Sequence, residues 1–345
     1  MPVYPASASA KPAAQPDAPG ILLVGLNWLG DSIMSMPAIQ AYRQAHPEQR
    51  LLMLVKAKLA ALWTLHAAID EIIVLPESSG GMLRLARQLA GRQLATGFIL
   101  PNSFRAALVP FLARIPERHG LPGHWRDWML TRIMPRSTTL AAEHQSHEYL
   151  ALLGLAPARV PEPRLTLTAA LRQRAVSHLG APPPWIALMP GAAYGPAKRW
   201  PAEHFISLGR MLNATQNYPI VLLGSAAERD LCRGIAQGIG PATLNLAGQT
   251  SLPELAALLE QCALVVANDS GGMHLAAAVG APVLAFFGIT NPRQTGPLGA
   301  QVRILQNSSQ QSRYIRRSSP QATLSLIGIR PEQAWEAARE LLAKR

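Results

Sequence analysis

Short apolar runs bounded by turn residues alternate with helix-type segments twice along this chain. That cadence limits the fold more than any other feature. Ile21–Leu26, Leu51–Val55, Glu71–Leu75 and Thr96–Leu100 read as strands, with helices expected over Ser32–Ala45, Gly81–Leu94 and Arg105–Ala113 between them. Strands alternating with helices imply right-handed βαβ units and a parallel sheet. The cadence restarts at Trp185–Met189 and continues through Ile220–Leu223, Thr243–Leu246, Leu264–Ala267 and Val283–Phe287. Between the two series fall Pro157, Pro161 and Pro163, then Pro182, Pro183 and Pro184, a composition that marks a hinge rather than a core element. The expected fold class is α/β, with two doubly wound domains facing across a cleft and ligands at the carboxyl ends of the strands. The expected boundaries are a disordered leader over 1–19, an N-terminal domain over 20–165 and a proline-rich linker over 166–184. A second domain over 185–330 and a C-terminal helix over 331–345 follow.

Composition removes several alternatives. The apolar share of 49% rules out wholesale disorder in a 345-residue chain. The longest apolar candidate for a membrane span, Leu275 to Ile289, is interrupted by Gly280 and Pro282. Two cysteines, Cys232 and Cys262, cannot build a disulfide framework or a zinc site by themselves. Residues 1–19 lack the charged start and apolar stretch of a secretion signal, which makes the cytosol the default compartment.

The first strand leads through Gly25-Leu-Asn-Trp-Leu-Gly-Asp-Ser into a helix. A dinucleotide fingerprint fails because Asn27 stands where its second glycine belongs. A triphosphate loop also fails, because Asp31 replaces the lysine before Ser32, and a carboxylate repels phosphate. The spacing leaves two roles open for Asp31. An acid at the mouth of a strand–helix turn can activate a hydroxyl nucleophile as a general base, or it can cap the helix.

The second half carries two further loops. Pro190-Gly-Ala-Ala-Tyr-Gly-Pro-Ala-Lys-Arg-Trp-Pro201 follows a strand and combines glycines with adjacent Lys198 and Arg199, which suits a diphosphate as well as a merely solvated loop. Asn268-Asp-Ser-Gly-Gly-Met-His-Leu-Ala follows another buried strand. Asp269 or Ser270 is expected to cap the helix, and Gly271 and Gly272 leave its first amides open to an anion. His274 falls in the first turn, either as a ligand contact or as a satisfied core histidine. Glu228, just beyond Ile220–Leu223, can accept hydrogen bonds from a ribose or simply sit in water at a helix start.

Asn27-Trp-Leu-Gly-Asp-Ser, Pro101-Asn-Ser-Phe-Arg, the Pro190–Pro201 block and Asn268-Asp-Ser-Gly-Gly-Met-His-Leu-Ala occur in this order over residues 20–300. Together they resemble the ADP-heptose–lipopolysaccharide heptosyltransferases of glycosyltransferase family 9, and most of all their heptosyltransferase II branch. That resemblance implies a GT-B fold of two Rossmann-like domains, the first for the acceptor and the second for the ADP-sugar. It also implies inverting transfer of L-glycero-D-manno-heptose to the inner core of lipopolysaccharide, with no cofactor and no metal. It makes Asp31 the base, Lys198 a diphosphate contact, Asp269, Ser270, Gly271, Gly272 and His274 the donor lining, and Glu228 the ribose contact. The branch often carries a cysteine-containing segment before its last helix, whereas Asn307–Pro320 here has none.

The charge is uneven. Lys and Arg number 32 against 20 Asp and Glu, a net charge of +12. Between Arg84 and Arg136, nine arginines oppose only Glu117 and Asp127. Arg105, Arg126 and Arg132 are therefore expected to bind the anionic lipopolysaccharide core, with peripheral contact at the cytoplasmic face of the inner membrane. Trp125 and Trp128 flank that set and suit a lipid interface or a core. Three other readings remain: a related transferase using a different nucleotide-sugar, an NAD-dependent oxidoreductase, and a nucleic-acid-binding protein. The oxidoreductase lacks a three-glycine fingerprint. Nucleic acid is disfavoured because no basic run is interleaved with aromatics.

Overall fold

The computed structural model describes residues 4–5, 19–123, 125–135, 143–156, 159–177, 179, 183–215, 218–308 and 320–344. The chain divides into two compact units, Met1–Thr166 and Leu167–Arg345. Each is a doubly wound α/β unit, as the strand–helix cadence predicts.

In the first unit the strands are β1 (Tyr4–Pro5), β2 (Gly20–Val24), β3 (Leu51–Val55), β4 (Glu71–Val74), β5 (Leu94–Ile99), β6 (Glu117–Gly120) and β7 (Arg132–Ile133). Their order in the sheet is β1-β4-β3-β2-β5-β6-β7. All neighbours are parallel except β1, which pairs antiparallel with β4 through Tyr4 and Pro5. Every residue of β2 and β3 is buried, which is why both read as continuous apolar runs with no alternation. The helix Ser79–Ala90 buries Met82, Leu85, Ala86 and Leu89, one stripe at helical spacing, and its N-cap Ser78 accepts from the Gly81 amide at 3.1 Å.

The second unit contains β8 (Trp185–Met189), β9 (Ile220–Leu222), β10 (Leu244–Asn245), β11 (Cys262–Asn268), β12 (Val283–Phe287) and β13 (Val302–Gln306). They form an all-parallel sheet in the order β10-β9-β8-β11-β12-β13. An aromatic cluster of Trp200, Phe205 and Phe286 packs against it, with the Trp200 ring 4.9 Å from Phe205 and 4.2 Å from Phe286. The helix Pro331–Leu342 buries Ala334, Ala337, Ala338 and Leu341 in the same core.

The structure adds to the expected boundaries. Within the stretch expected as a linker, Ala169–Ser177 is a helix of the second unit. Arg172 holds it there through a two-toothed ion pair with Glu260, at 2.6 and 2.8 Å. Pro331–Leu342 likewise belongs to the second core rather than standing outside it. Within the expected leader, Tyr4 and Pro5 form β1, while residues 1–3 and 6–18 lie outside the described residues. The cysteine-free stretch at 307–320 also lies mostly outside them, over 309–319. The strands β6, β7 and β13 were not foreseen: Glu-Arg-His-Gly of β6 carries almost no apolar pattern, and β7 is only two residues long. Both cysteines are buried, and burial pushes the Cys232 thiol up to about 12.

Candidate functional site

Both sheets reverse their winding direction once. In the first unit the reversal lies between β2 and β5, and in the second between β8 and β11. Loops leaving neighbouring strands at such a point diverge and open a crevice for a ligand. Every motif singled out in the sequence, except the acceptor arginines after residue 105 and Glu228, leaves one of these four strands.

In the first unit, β2 ends at Val24 and Gly25–Trp28 leads into the helix Leu29–Ala45. Asp31 lies in the first turn of that helix and is half-buried. The N-cap is Trp28, three residues earlier, so Asp31 is not the cap. Its carboxylate instead stands where the unpaired first-turn amides favour a negative charge. Trp28 is 51% exposed, and Lys58 Nζ lies 5.2 Å from its ring centroid. On the other side of the reversal, β5 leads through Pro101-Asn102-Ser103 into the helix Phe104–Leu112.

The three arginines expected at the acceptor separate. Arg105 is exposed and donates to the Glu77 carbonyl at 3.2 Å. Arg132 is exposed on edge strand β7. Arg126 is fully buried, which removes it from any exposed basic surface. Its Nη1 donates to the carbonyls of Pro101 and Ser103, fastening the loop after β5 from beneath. Burial lowers its pKa to about 10, against the opposing pull of Asp127, so the guanidinium stays charged at neutral pH. The sequence could not separate Arg126 from its neighbours, since an arginine between two tryptophans reads as surface.

In the second unit the loop after β8 and the turn after β11 are joined by two side chains. Asn268, the last residue of β11, is fully buried. Its Nδ2 donates to the Pro190 carbonyl at 2.7 Å, and its Oδ1 accepts from the Trp200 amide at 2.9 Å, so it holds both ends of the Pro190–Trp200 loop. Lys198 supplies the second link, its Nζ 2.6 Å from Asp269 Oδ2, and it also lies 5.5 Å from the Tyr194 ring. Arg199 donates back to the Ala192 carbonyl at 3.4 Å. Gly195, at φ +123, turns the chain into the single turn Pro196–Lys198, a conformation that an L side chain rarely adopts.

Ser270 is the N-cap of the helix Gly271–Ala278 and makes no side-chain cap bond, so it does not occupy the first-turn amides. Gly271 lies at the first helical position, half-exposed. Gly272 is buried against Met189 at the end of β8, where a Cβ would come within 2.8 Å of the Met189 sulfur. Its role is close packing of helix on strand. His274, one turn in, is 5% exposed.

Glu228 ends the turn Ala226–Glu228 after β9. Its Oε2 accepts from the Ser225 amide at 2.7 Å and the Ser225 hydroxyl at 2.8 Å, the reciprocal arrangement of a capping box. The carboxylate is therefore oriented rather than merely solvated. It packs directly over Gly191, where any Cβ would overlap it. Gly191 and Asn268 were not foreseen as functional positions. The available signals were a glycine directly after a buried strand and a buried polar residue at a strand's carboxyl end.

This second site therefore offers a cation, a first-turn amide set and glycine-lined backbone at one reversal point, with an oriented carboxylate packed over Gly191 from the turn after β9. That combination suits a nucleoside diphosphate: amides and ammonium for the phosphates, a carboxylate for the ribose hydroxyls. Among the described residues no group of three or more His, Cys, Asp or Glu is placed to hold a metal ion. No helix among them is long and apolar enough to cross a membrane.

The chain is similar to known proteins over most of its length. Residues 82–324 match the profile of glycosyltransferase family 9 (heptosyltransferase). The chain is 32% identical to lipooligosaccharide heptosyltransferase 2 of Haemophilus influenzae, covering 94% of this chain and 99% of that protein. It is 29% identical to lipopolysaccharide heptosyltransferase 2 of Escherichia coli, covering 93% and 98%. Its fold superposes on the solved structure of E. coli ADP-heptose lps heptosyltransferase II with a TM-score of 0.83, at 28% identity, over 94% of this chain and 99% of that one.

Proposed function

The chain belongs to glycosyltransferase family 9, the heptosyltransferases, and we propose that it moves L-glycero-D-manno-heptose from ADP-heptose to the inner core of lipopolysaccharide with inversion. The observation that carries this reading is the end-to-end similarity to heptosyltransferase 2 proteins, combined with a nucleotide-type site at the second reversal point. The fold is accordingly of the GT-B type.

The chemistry follows from the two sites. An acceptor hydroxyl is a weak nucleophile near neutral pH, and Asp31 takes its proton as its oxygen bonds to the anomeric carbon. The bond from that carbon to the β-phosphate oxygen breaks, and the electron pair leaves with ADP. Developing charge on the β-phosphate is met by Lys198, which has N–H donors beyond the one given to Asp269, and by the amides at Gly271 and Gly272. His274 and Ser270 complete the donor lining, and Glu228 accepts from the ribose. Because the protein supplies the positive charge itself, the reaction proceeds without a metal. Arg105 and Arg132 draw in the anionic core, and the lipid-borne acceptor brings the enzyme to the cytoplasmic face of the inner membrane as a peripheral protein.

The decisive experiment is incubation with ADP-heptose and a panel of truncated lipopolysaccharide acceptors, followed by mass measurement of the product. One added heptose on an inner-core acceptor is expected. Absence of transfer from ADP-heptose, with transfer from a different nucleotide-sugar, would assign the site to another donor.

A further inference from the structure

The two most exposed large apolar side chains of the first unit, Trp125 and Trp128, lie just before its edge strand β7, which carries Ile133. Trp125 is 85% exposed, Trp128 63% and Ile133 43%. Trp125 and Trp128 are held together by more than proximity in sequence. Trp128 donates its indole N–H to the Trp125 carbonyl at 2.9 Å, and its ring meets Phe111 edge-on at 4.9 Å. Ile133 is on β7, paired with Gly120 of β6.

The outward position of Trp125 is built in. Its backbone is left-handed, with φ +56, a conformation that a bulky residue keeps only when its surroundings enforce it. The enforcing contact is the next residue. Arg126 turns fully inward and binds the Pro101 and Ser103 carbonyls, which leaves Trp125 directed away from the core. An indole held in water by a strained backbone and a buried anchor is not a packing remnant.

The charge around these rings identifies the partner. Arg132 precedes Ile133 and is exposed, and Arg114 is exposed one turn beyond Phe111. The two acids of this stretch are engaged locally: Asp127 accepts from the Gly123 amide at 3.0 Å, and Glu117 pairs with His119 at 3.1 Å. Tryptophan favours the headgroup level of a bilayer, and arginine favours an anionic leaflet. A second copy of this chain fits poorly, since a two-fold contact would face the arginines of one copy with those of the other.

We infer that the edge formed by Trp125, Trp128 and Ile133, flanked by Arg114 and Arg132, docks on an anionic phospholipid bilayer. The inference rests on the proposed membrane-face reaction for its purpose, but vesicle binding is measured without any transferase substrate.

The test is flotation of the full chain with vesicles of phosphatidylcholine alone and of phosphatidylcholine mixed with phosphatidylglycerol. Binding to the mixed vesicles alone is expected, and Trp125→Gln with Trp128→Gln should lower it by about tenfold or more. Trp125→Gln by itself, at so exposed a position, keeps the fold if the double variant does not, and should also weaken binding. Circular dichroism and thermal melting of each variant are the control for folding. No binding to anionic vesicles, equal binding to neutral ones, or undiminished binding by Trp125→Gln would each overturn the inference. Self-association that Trp125→Gln abolishes would assign the edge to a second copy and overturn it too. Transfer to a delipidated core oligosaccharide should be unchanged in Trp125→Gln; failure of that transfer in the wild type would count against the proposed function and leave the vesicle result standing.

Discussion

Lys198 Nζ lies 2.6 Å from Asp269 Oδ2, joining the loop after β8 to the start of the helix after β11. Asp269 is only 7% exposed and Lys198 19%, so the pair is partly withdrawn from water. The cation expected to meet a diphosphate is thus held in place by a carboxylate before any ligand arrives. This orients the ammonium at the cost of part of its charge, and it makes the two residues interdependent.

Replacing Lys198 by Ala should damage binding and stability together. Loss of a charged contact to phosphate should weaken ADP binding by about tenfold to a hundredfold. Asp269, left without its counter-ion in a nearly buried position, should cost roughly 3 kcal/mol. Adding Asp269→Asn to Lys198→Ala should recover much of the stability and none of the ADP affinity. Titration calorimetry and urea unfolding on the wild type and the two variants separate the two effects, and recovery of both would mean that Lys198 does not touch the donor.

Asp31→Asn should lower kcat by about 10²–10⁴-fold, the usual contribution of a positioned proton acceptor. Affinity for ADP should hardly change, because the carboxylate belongs to the first unit. Turnover above half of wild type would rule out Asp31 as the base.

Asn268→Ala removes the acceptor for the Trp200 amide and the donor to Pro190. Each buried backbone group left unpaired costs about 1–3 kcal/mol, and the Pro190–Trp200 loop is left with the Lys198–Asp269 link alone of its two side-chain ties. A lowered urea midpoint and weaker ADP binding are expected together. Unchanged ADP affinity in a folded variant would show that the loop holds its shape without Asn268.

Activity should survive exhaustive EDTA treatment. The sequence contains no Asp-x-Asp pair of the kind that holds a divalent ion against a sugar diphosphate, and the proposed site gives that charge to Lys198 and the amides at Gly271. Loss of activity restored by Mg²⁺ or Mn²⁺ would contradict this.

The acceptor KM should rise steeply with salt, and further when Arg105 and Arg132 are both changed to Gln. Both arginines are exposed, and ions screen exposed charges over about 8 Å at physiological strength. The donor KM should rise less, since Lys198 and Asp269 are mostly shielded from solvent. Equal salt dependence for the two substrates would mean that the exposed arginines do not guide the acceptor.

The apolar periodicity of this chain determined its two doubly wound units, because strands covered on both faces, such as Leu51–Val55 and Leu264–Ala267, must be apolar throughout. The loops that form the candidate sites were legible for the same reason: glycines, a lysine and an acid directly after such a strand fall at its carboxyl end, where ligands bind in folds of this kind. Tertiary structure decided what each side chain in those loops does. Asn268 became the link between Pro190 and Trp200 only because the parallel pairing of β11 with β8 sets their ends side by side. Arg126 and Trp125 are neighbours in sequence, yet one is fully buried and the other 85% exposed. Residue type and spacing do not contain that difference. It arises because the Pro101 and Ser103 carbonyls, more than twenty residues away, supply partners for one guanidinium and so draw Arg126 in, leaving Trp125 to face solvent.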